Sequence, residues 1–77
     1  MPRSIHSADY KKLTAVIISL RKKAGLTQQQ VADRLKRPQS YIAKLEGGER
    51  RLDVVEFIEL IRAMDVDPVA AMKEIVS

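Results

Sequence analysis

Apolar residues recur at helical spacing along nearly the whole chain. Leu13, Val16, Ile17, Leu20 and Ala24 fall three or four positions apart and draw one stripe. Ser7 ahead of them has the hydroxyl that an N-cap needs, Asp9 puts negative charge in the first turn, and Gly25 marks the end. Thr27 with Gln30 is a capping-box pattern. It predicts a second helix that turns Val31, Ala32 and Leu35 inward and stops near Lys36. Pro38, with its fixed φ and no amide hydrogen, suits the first turn of a short third helix whose Ile42 and Leu45 face the core, with Gly47-Gly48 as a left-handed exit.

Asp53 with Glu56 repeats the capping signature. The stripe that follows, Val54, Val55, Phe57, Ile58, Leu60, Ile61 and Met64, is too wide for one neighbour, so part of it is expected to face another subunit. Asp67-Pro68 opens a fifth helix with Val69, Met72, Ile75 and Val76 as its apolar positions. Apolar-polar alternation never persists between turn signals, so no strand is predicted. No internal repeat, low-complexity tract or linker interrupts the pattern. The expectation is an all-α fold, five helices in one compact domain over 1–77, with 1–6 as a flexible lead-in.

With 77 residues, 45% of them hydrophobic, the chain can form a single modest core. A domain of this size hides only about 60% of its unfolded surface, so a partner subunit would add stability. The absence of Cys excludes disulfides and thiolate metal sites. No apolar run exceeds Ala15-Val16-Ile17-Ile18, well short of the roughly 20 residues that cross a bilayer. Nothing at the N-terminus resembles a signal peptide, and a soluble, cytoplasmic chain is expected.

The net charge of +4 hides an asymmetry: residues 1–51 carry twelve Lys/Arg against four Asp/Glu, while residues 52–77 carry two against six. A basic half suits a polyanion, with the acidic half facing away; a merely solvated charged surface is the bland alternative. Catalysis is not expected. His6 is the sole histidine, lies in the lead-in, and has no Cys or second His beside which to act. The carboxylates sit at helix-cap and solvent positions, and Gly47-Gly48 ends a helix instead of preceding one as a phosphate loop would. No cofactor and no metal are expected either. Membrane-surface binding through Lys11, Lys12, Arg21, Lys22 and Lys23 is a weaker reading, because the apolar stripe of that helix is better explained as core.

The segment from Thr27 to Gly48 is then two short helices joined by a tight break, with a basic, amide-rich exposed face. Its inward slots hold Val31, Ala32, Leu35, Ile42 and Leu45, and small Ala32 permits a close helix crossing. The flanks Leu20-Arg21-Lys22-Lys23-Ala24-Gly25-Leu26-Thr27-Gln28 and Leu45-Glu46-Gly47-Gly48-Glu49-Arg50-Arg51 complete the pattern. On these residues, from about Leu13 to Pro68, the chain resembles the phage-repressor/Cro-like, or XRE-type, helix-turn-helix DNA-binding domains. Three positions depart from that family. Lys36 stands where the turn usually has Gly, which costs roughly 1 kcal/mol if the backbone there is left-handed. Arg37 fills a slot that is usually apolar, and Glu49 lies in a loop that tends to be positive or neutral.

The resemblance implies a small transcriptional regulator, a repressor or autoregulator, that binds double-stranded DNA sequence-specifically. It also implies a homodimer on a near-palindromic operator, with half-site centres roughly 34 Å apart. The third helix would enter the major groove with Gln39, Ser40, Ala43 and Lys44 toward base edges; Gln39 matches adenine and Lys44 the guanine acceptors. Tyr41 lies to one side and can read a base, stack over sugar-phosphate or pack. Thr27, Gln28, Arg37, Arg50 and Arg51 are the phosphate candidates, with Lys22, Lys23 and Lys36 secondary. Gln28 would act as a backbone clamp, plain solvent exposure being the alternative. Arg21 and Glu46 match positions that form a structural ion pair in the family; two unrelated surface charges is the other reading.

Val55, Ile58, Met72, Ile75 and Val76 are the candidate dimer contacts, unless they complete the monomer core. A different use of the same fold is open: an antitoxin or a restriction-modification controller with a small protein partner. With no room for an effector domain after Ser77, control is expected to come from concentration, dimerisation or such a partner.

Overall fold

The computed structural model describes residues 7–77. The lead-in of residues 1–6, with His6, lies outside the described residues. Five helices follow one another: α1 (Ala8–Lys23), α2 (Gln28–Leu35), α3 (Gln39–Glu46), α4 (Val54–Ala63) and α5 (Pro68–Val76). There is no strand among the described residues, and no helix there is long and apolar enough to cross a membrane.

Local chemistry sets the starts. Ser7 Oγ accepts from the Tyr10 amide at 3.2 Å. At α2 the Thr27 hydroxyl accepts from the Gln30 amide while the Gln30 carboxamide oxygen accepts from the Thr27 amide, at 3.1 and 2.9 Å. Asp53 and Glu56 make the same reciprocal pair at α4, at 2.7 and 3.0 Å. Each box satisfies two amides that a helix start would otherwise leave without partners. Pro38 sits one place earlier than its sequence suggests: it is the N-cap of α3, with extended backbone (ψ 153°) and no side-chain cap.

Four helix ends close the same way. A residue with positive φ follows α1, α2, α3 and α4: Gly25 (73°), Lys36 (57°), Gly48 (74°) and Asp65 (61°). In each case the next amide reaches back to a carbonyl five residues earlier: Leu26 to Arg21, Arg37 to Ala32, Glu49 to Lys44 and Val66 to Ile61. Gly47 is right-handed, so the exit from α3 turns on Gly48 alone. Lys36 and Asp65 take the conformation against their side chains' preference. Asp65 is helped by Arg34, which donates to its carboxylate at 3.2 Å and to the Ala63 carbonyl at 2.7 Å, tying α2 to the end of α4.

The core collects Ile17 and Leu20 of α1, Val31 and Ala32 of α2, Ile42 and Leu45 of α3, Phe57, Leu60 and Ile61 of α4, Met64, and Ala71 of α5. Helix α2 packs on α3 and α4, α1 on α3 and α5, and α4 on α5. One expected apolar assignment changes. Ala24 is exposed at the end of α1. In α5, Val69, Met72 and Val76 face outward while Ala71 is wholly buried and Ile75 half-buried. A residue without a long side chain lets α5 approach its neighbours closely, an advantage that a hydropathy pattern does not express.

Candidate nucleic-acid interface

Helix α3 is anchored by Ile42 and Leu45, which are buried against α2, where Val31 and Ala32 are themselves fully buried. Anchoring one face fixes the other. Gln39, Ser40 and Lys44 are exposed on α3, and Ala43 is half-buried beside them. These side chains offer an amide, a hydroxyl, an ammonium and an apolar surface along one short rod, a set that can pair with base edges.

A hydrogen-bonded chain runs under that rod. Arg21, in the last turn of α1, donates from Nε to Glu46 Oε2 at 2.6 Å and from Nη2 to Oε1 at 3.0 Å. Its Nη1 donates to the Leu26 carbonyl at 2.9 Å. The two side chains are only 13% and 6% exposed, so this pair stands well out of solvent. The bond it donates to Glu46 is the main cause that raises the Arg21 pKa above its already high ordinary value. Gln28, the first residue of α2, donates from Nε2 to Glu46 Oε1 at 2.9 Å. Gln39 Nε2 in turn donates to Gln28 Oε1 at 3.1 Å. The chain links α1, α2 and both ends of α3.

Tyr41, also on α3, is half-buried, and two guanidiniums stack over its ring: Arg37 lies 4.6 Å and Arg50 4.7 Å from the ring centroid. Such stacking is favourable through the ring's negative faces. The Tyr41 hydroxyl donates to Glu56 Oε2 at 3.4 Å, and Arg50 donates to both Glu56 oxygens at 3.4 and 3.0 Å. Burial is the main cause that raises the Tyr41 pKa, with the Glu56 charge adding to it. Glu56 is pulled below the usual carboxylate range by its bond from Arg50 and then by the Asp53 amide. The cluster holds the loop after α3 against the start of α4.

Arg37 and Arg51 are exposed, Arg50 half-buried, and the Arg51 guanidinium lies 5.8 Å from the Tyr10 ring. Thr27 is exposed, with its hydroxyl oxygen accepting in the capping box. Lys22, Lys23 and Lys36 are exposed as well. Among the apolar candidates of α4 and α5, Val55 is 64% and Val76 72% exposed, Met72 is exposed, and Ile58 and Ile75 are half-buried. Val54 and Val69 are exposed as well.

Two participants were not singled out from the sequence. Tyr10 donates from its hydroxyl to the Arg50 carbonyl at 3.3 Å, and so steadies the loop that presents Arg50 and Arg51. Glu56 reads in the sequence only as a capping residue, yet it also gathers Arg50 and Tyr41. Neither signal is available at short range, since Tyr10 and Arg50 lie 40 positions apart and Tyr41 and Glu56 lie 15 apart.

Residues 13–72 match the model of a family whose description is helix-turn-helix domain. Among solved structures, the chain is similar to an XRE-family like protein from Pseudomonas syringae pv. tomato str. DC3000, with 43% identity and a TM-score of 0.87 over 94% of this chain and 88% of that one. It is also similar to the restriction-modification controller protein C.AhdI from Aeromonas hydrophila, with 29% identity and a TM-score of 0.74 over 90% and 98% of the two chains. A third similar structure is the restriction-modification controller protein C.Esp1396I, solved as a tetramer in complex with its natural 35 base-pair operator. It has 25% identity and a TM-score of 0.80 over 94% of this chain and all of that one. No curated protein matches the chain.

Proposed function

The chain belongs to the helix-turn-helix domain family, in its XRE-type branch, and we propose on that premise that it is a small transcriptional regulator acting on double-stranded DNA. One observation carries the reading. Helix α3 is locked to α2 through Ile42 and Leu45, while Gln39, Ser40 and Lys44 stand exposed on it with Arg37, Arg50 and Arg51 nearby. In the major groove Gln39 would meet an adenine edge and Lys44 a guanine edge, with Ser40 and Ala43 filling the contact between them. Arg37, Arg50, Arg51, Thr27 and the second amide hydrogen of Gln28 would take phosphates, fixing register without reading sequence.

For Tyr41 the stacking of Arg37 and Arg50 over its ring favours a positioning role beside the backbone over direct readout. A homodimer through Val55, Ile58, Met72, Ile75 and Val76 would cover apolar surface that the monomer leaves exposed or half-exposed. The likeness to restriction-modification controllers along nearly the full chain, one of them tetrameric on its operator, supports an oligomeric autoregulator within this reading.

Selection of binders from a random duplex pool at fixed salt tests it. The wild-type chain is expected to enrich one near-palindromic motif. The Gln39→Ala/Lys44→Ala variant should lose preference at the matching positions, by about 1–3 kcal/mol for each good base contact. The same motif from the variant would overturn the assignment of readers.

A further inference from the structure

We propose that Glu46 is a specificity-determining positioning residue: through Gln28 it sets which way round the Gln39 carboxamide is presented to a base. The inference rests on the reading of Gln39 as a base reader. It follows from the direction of the hydrogen-bonded chain beneath α3. An ionised carboxylate can only accept. Glu46 receives two bonds from Arg21, which can only donate, so its oxygens act as acceptors and meet Gln28 as such.

Gln28 must therefore turn its NH2 toward Glu46, at 2.9 Å, which leaves its Oε1 for the next link. That oxygen can only accept, so Gln39 turns its NH2 toward Gln28, at 3.1 Å. The outcome reaches the surface. Gln39 keeps its Oε1 and one N–H for DNA, an acceptor beside a donor, which is the complement of adenine's N6 amino group and N7. With the amide reversed, Gln39 would have its oxygen tied to Gln28 and would offer two N–H groups, the complement of guanine's O6 and N7. Glu46, almost withdrawn from solvent at 6% exposure, would thus choose between purines without touching either.

The test compares three variants by selection from a random duplex pool at fixed salt, with folding of each checked by circular dichroism at the selection temperature. Gln39→Ala locates the position that Gln39 reads. Arg21 donates to both Glu46 oxygens, so the joint variant Arg21→Leu/Glu46→Leu removes the acceptor without stranding the guanidinium and leaves Gln28 free to turn either way. The preference for adenine over guanine at the located position should then fall by about tenfold, with preferences at other positions unchanged. Gln28→Leu breaks the chain while leaving the Arg21 pair intact, and should weaken adenine preference there by about tenfold, beyond any loss of affinity common to all sequences.

An unaltered adenine preference in both variants, with Gln39→Ala still relaxing that position, would overturn the inference and leave Gln39 as a reader. If Gln39→Ala relaxes no position, the underlying reading falls and the inference with it.

Discussion

Two arginine–glutamate pairs hold α3 from different directions, and they differ mainly in how much water reaches them. Arg21 and Glu46 are 13% and 6% exposed, and Gln28 occupies the carboxylate further. Arg50 and Glu56 are 37% and 17% exposed, with Tyr41 leaning on the carboxylate at 3.4 Å. The same ion chemistry therefore has different consequences. Breaking a buried pair strands a charge that has lost its solvation, whereas a charge near the surface is rehydrated when its partner leaves. The inner pair sets the pose of α3, and the outer pair moors the loop that follows it.

Removing one partner from each pair separates these roles. Glu46→Ala should cost about 3 kcal/mol in urea denaturation, because it leaves the Arg21 guanidinium under the protein with only the Leu26 carbonyl for company. A loss close to zero would place the inner pair with ordinary surface charges. Glu56→Ala should cost less, about 1 kcal/mol, most of it from the capping box with Asp53. A cost equal to that of Glu46→Ala would erase the distinction. The smallest expected effect is on pH dependence. The folded-state pKa of Glu56 lies below its ordinary value of 4.5, so the stabilisation it brings is complete above that pH and is lost as pH falls through the lowered value. Acid titration of Glu56→Gln should show a shallower decline than wild type on the acid side of 4.5; identical curves would remove the outer carboxylate as a source of that decline.

Chain separation explains what could be read in advance. The boxes at Thr27/Gln30 and Asp53/Glu56 join residues three apart, so the residue types alone reveal them. The inward positions of α2 and α3 follow from helical period, and Val31, Ala32, Ile42 and Leu45 are all buried. Other features depend on what the fold brings near. Ala71 is buried because it is small, while the larger Val69 and Met72 of the same helix stand in solvent. Arg50 was legible as a cation beside the reading helix, but not its bonds to Glu56 or its stacking on Tyr41. Gln28 and Gln39 each carry an amide at a suggestive place; only the assembled site shows the hydrogen bond joining them.

The most direct measurement is a structure of the chain on the duplex it selects. Helix α3 is expected in the major groove, with Gln39 and Lys44 within hydrogen-bond distance of base edges and Arg37, Arg50 and Arg51 beside phosphates. A complex in which α3 faces away from the duplex, or lies against the backbone with Gln39 and Lys44 touching no base, would contradict it.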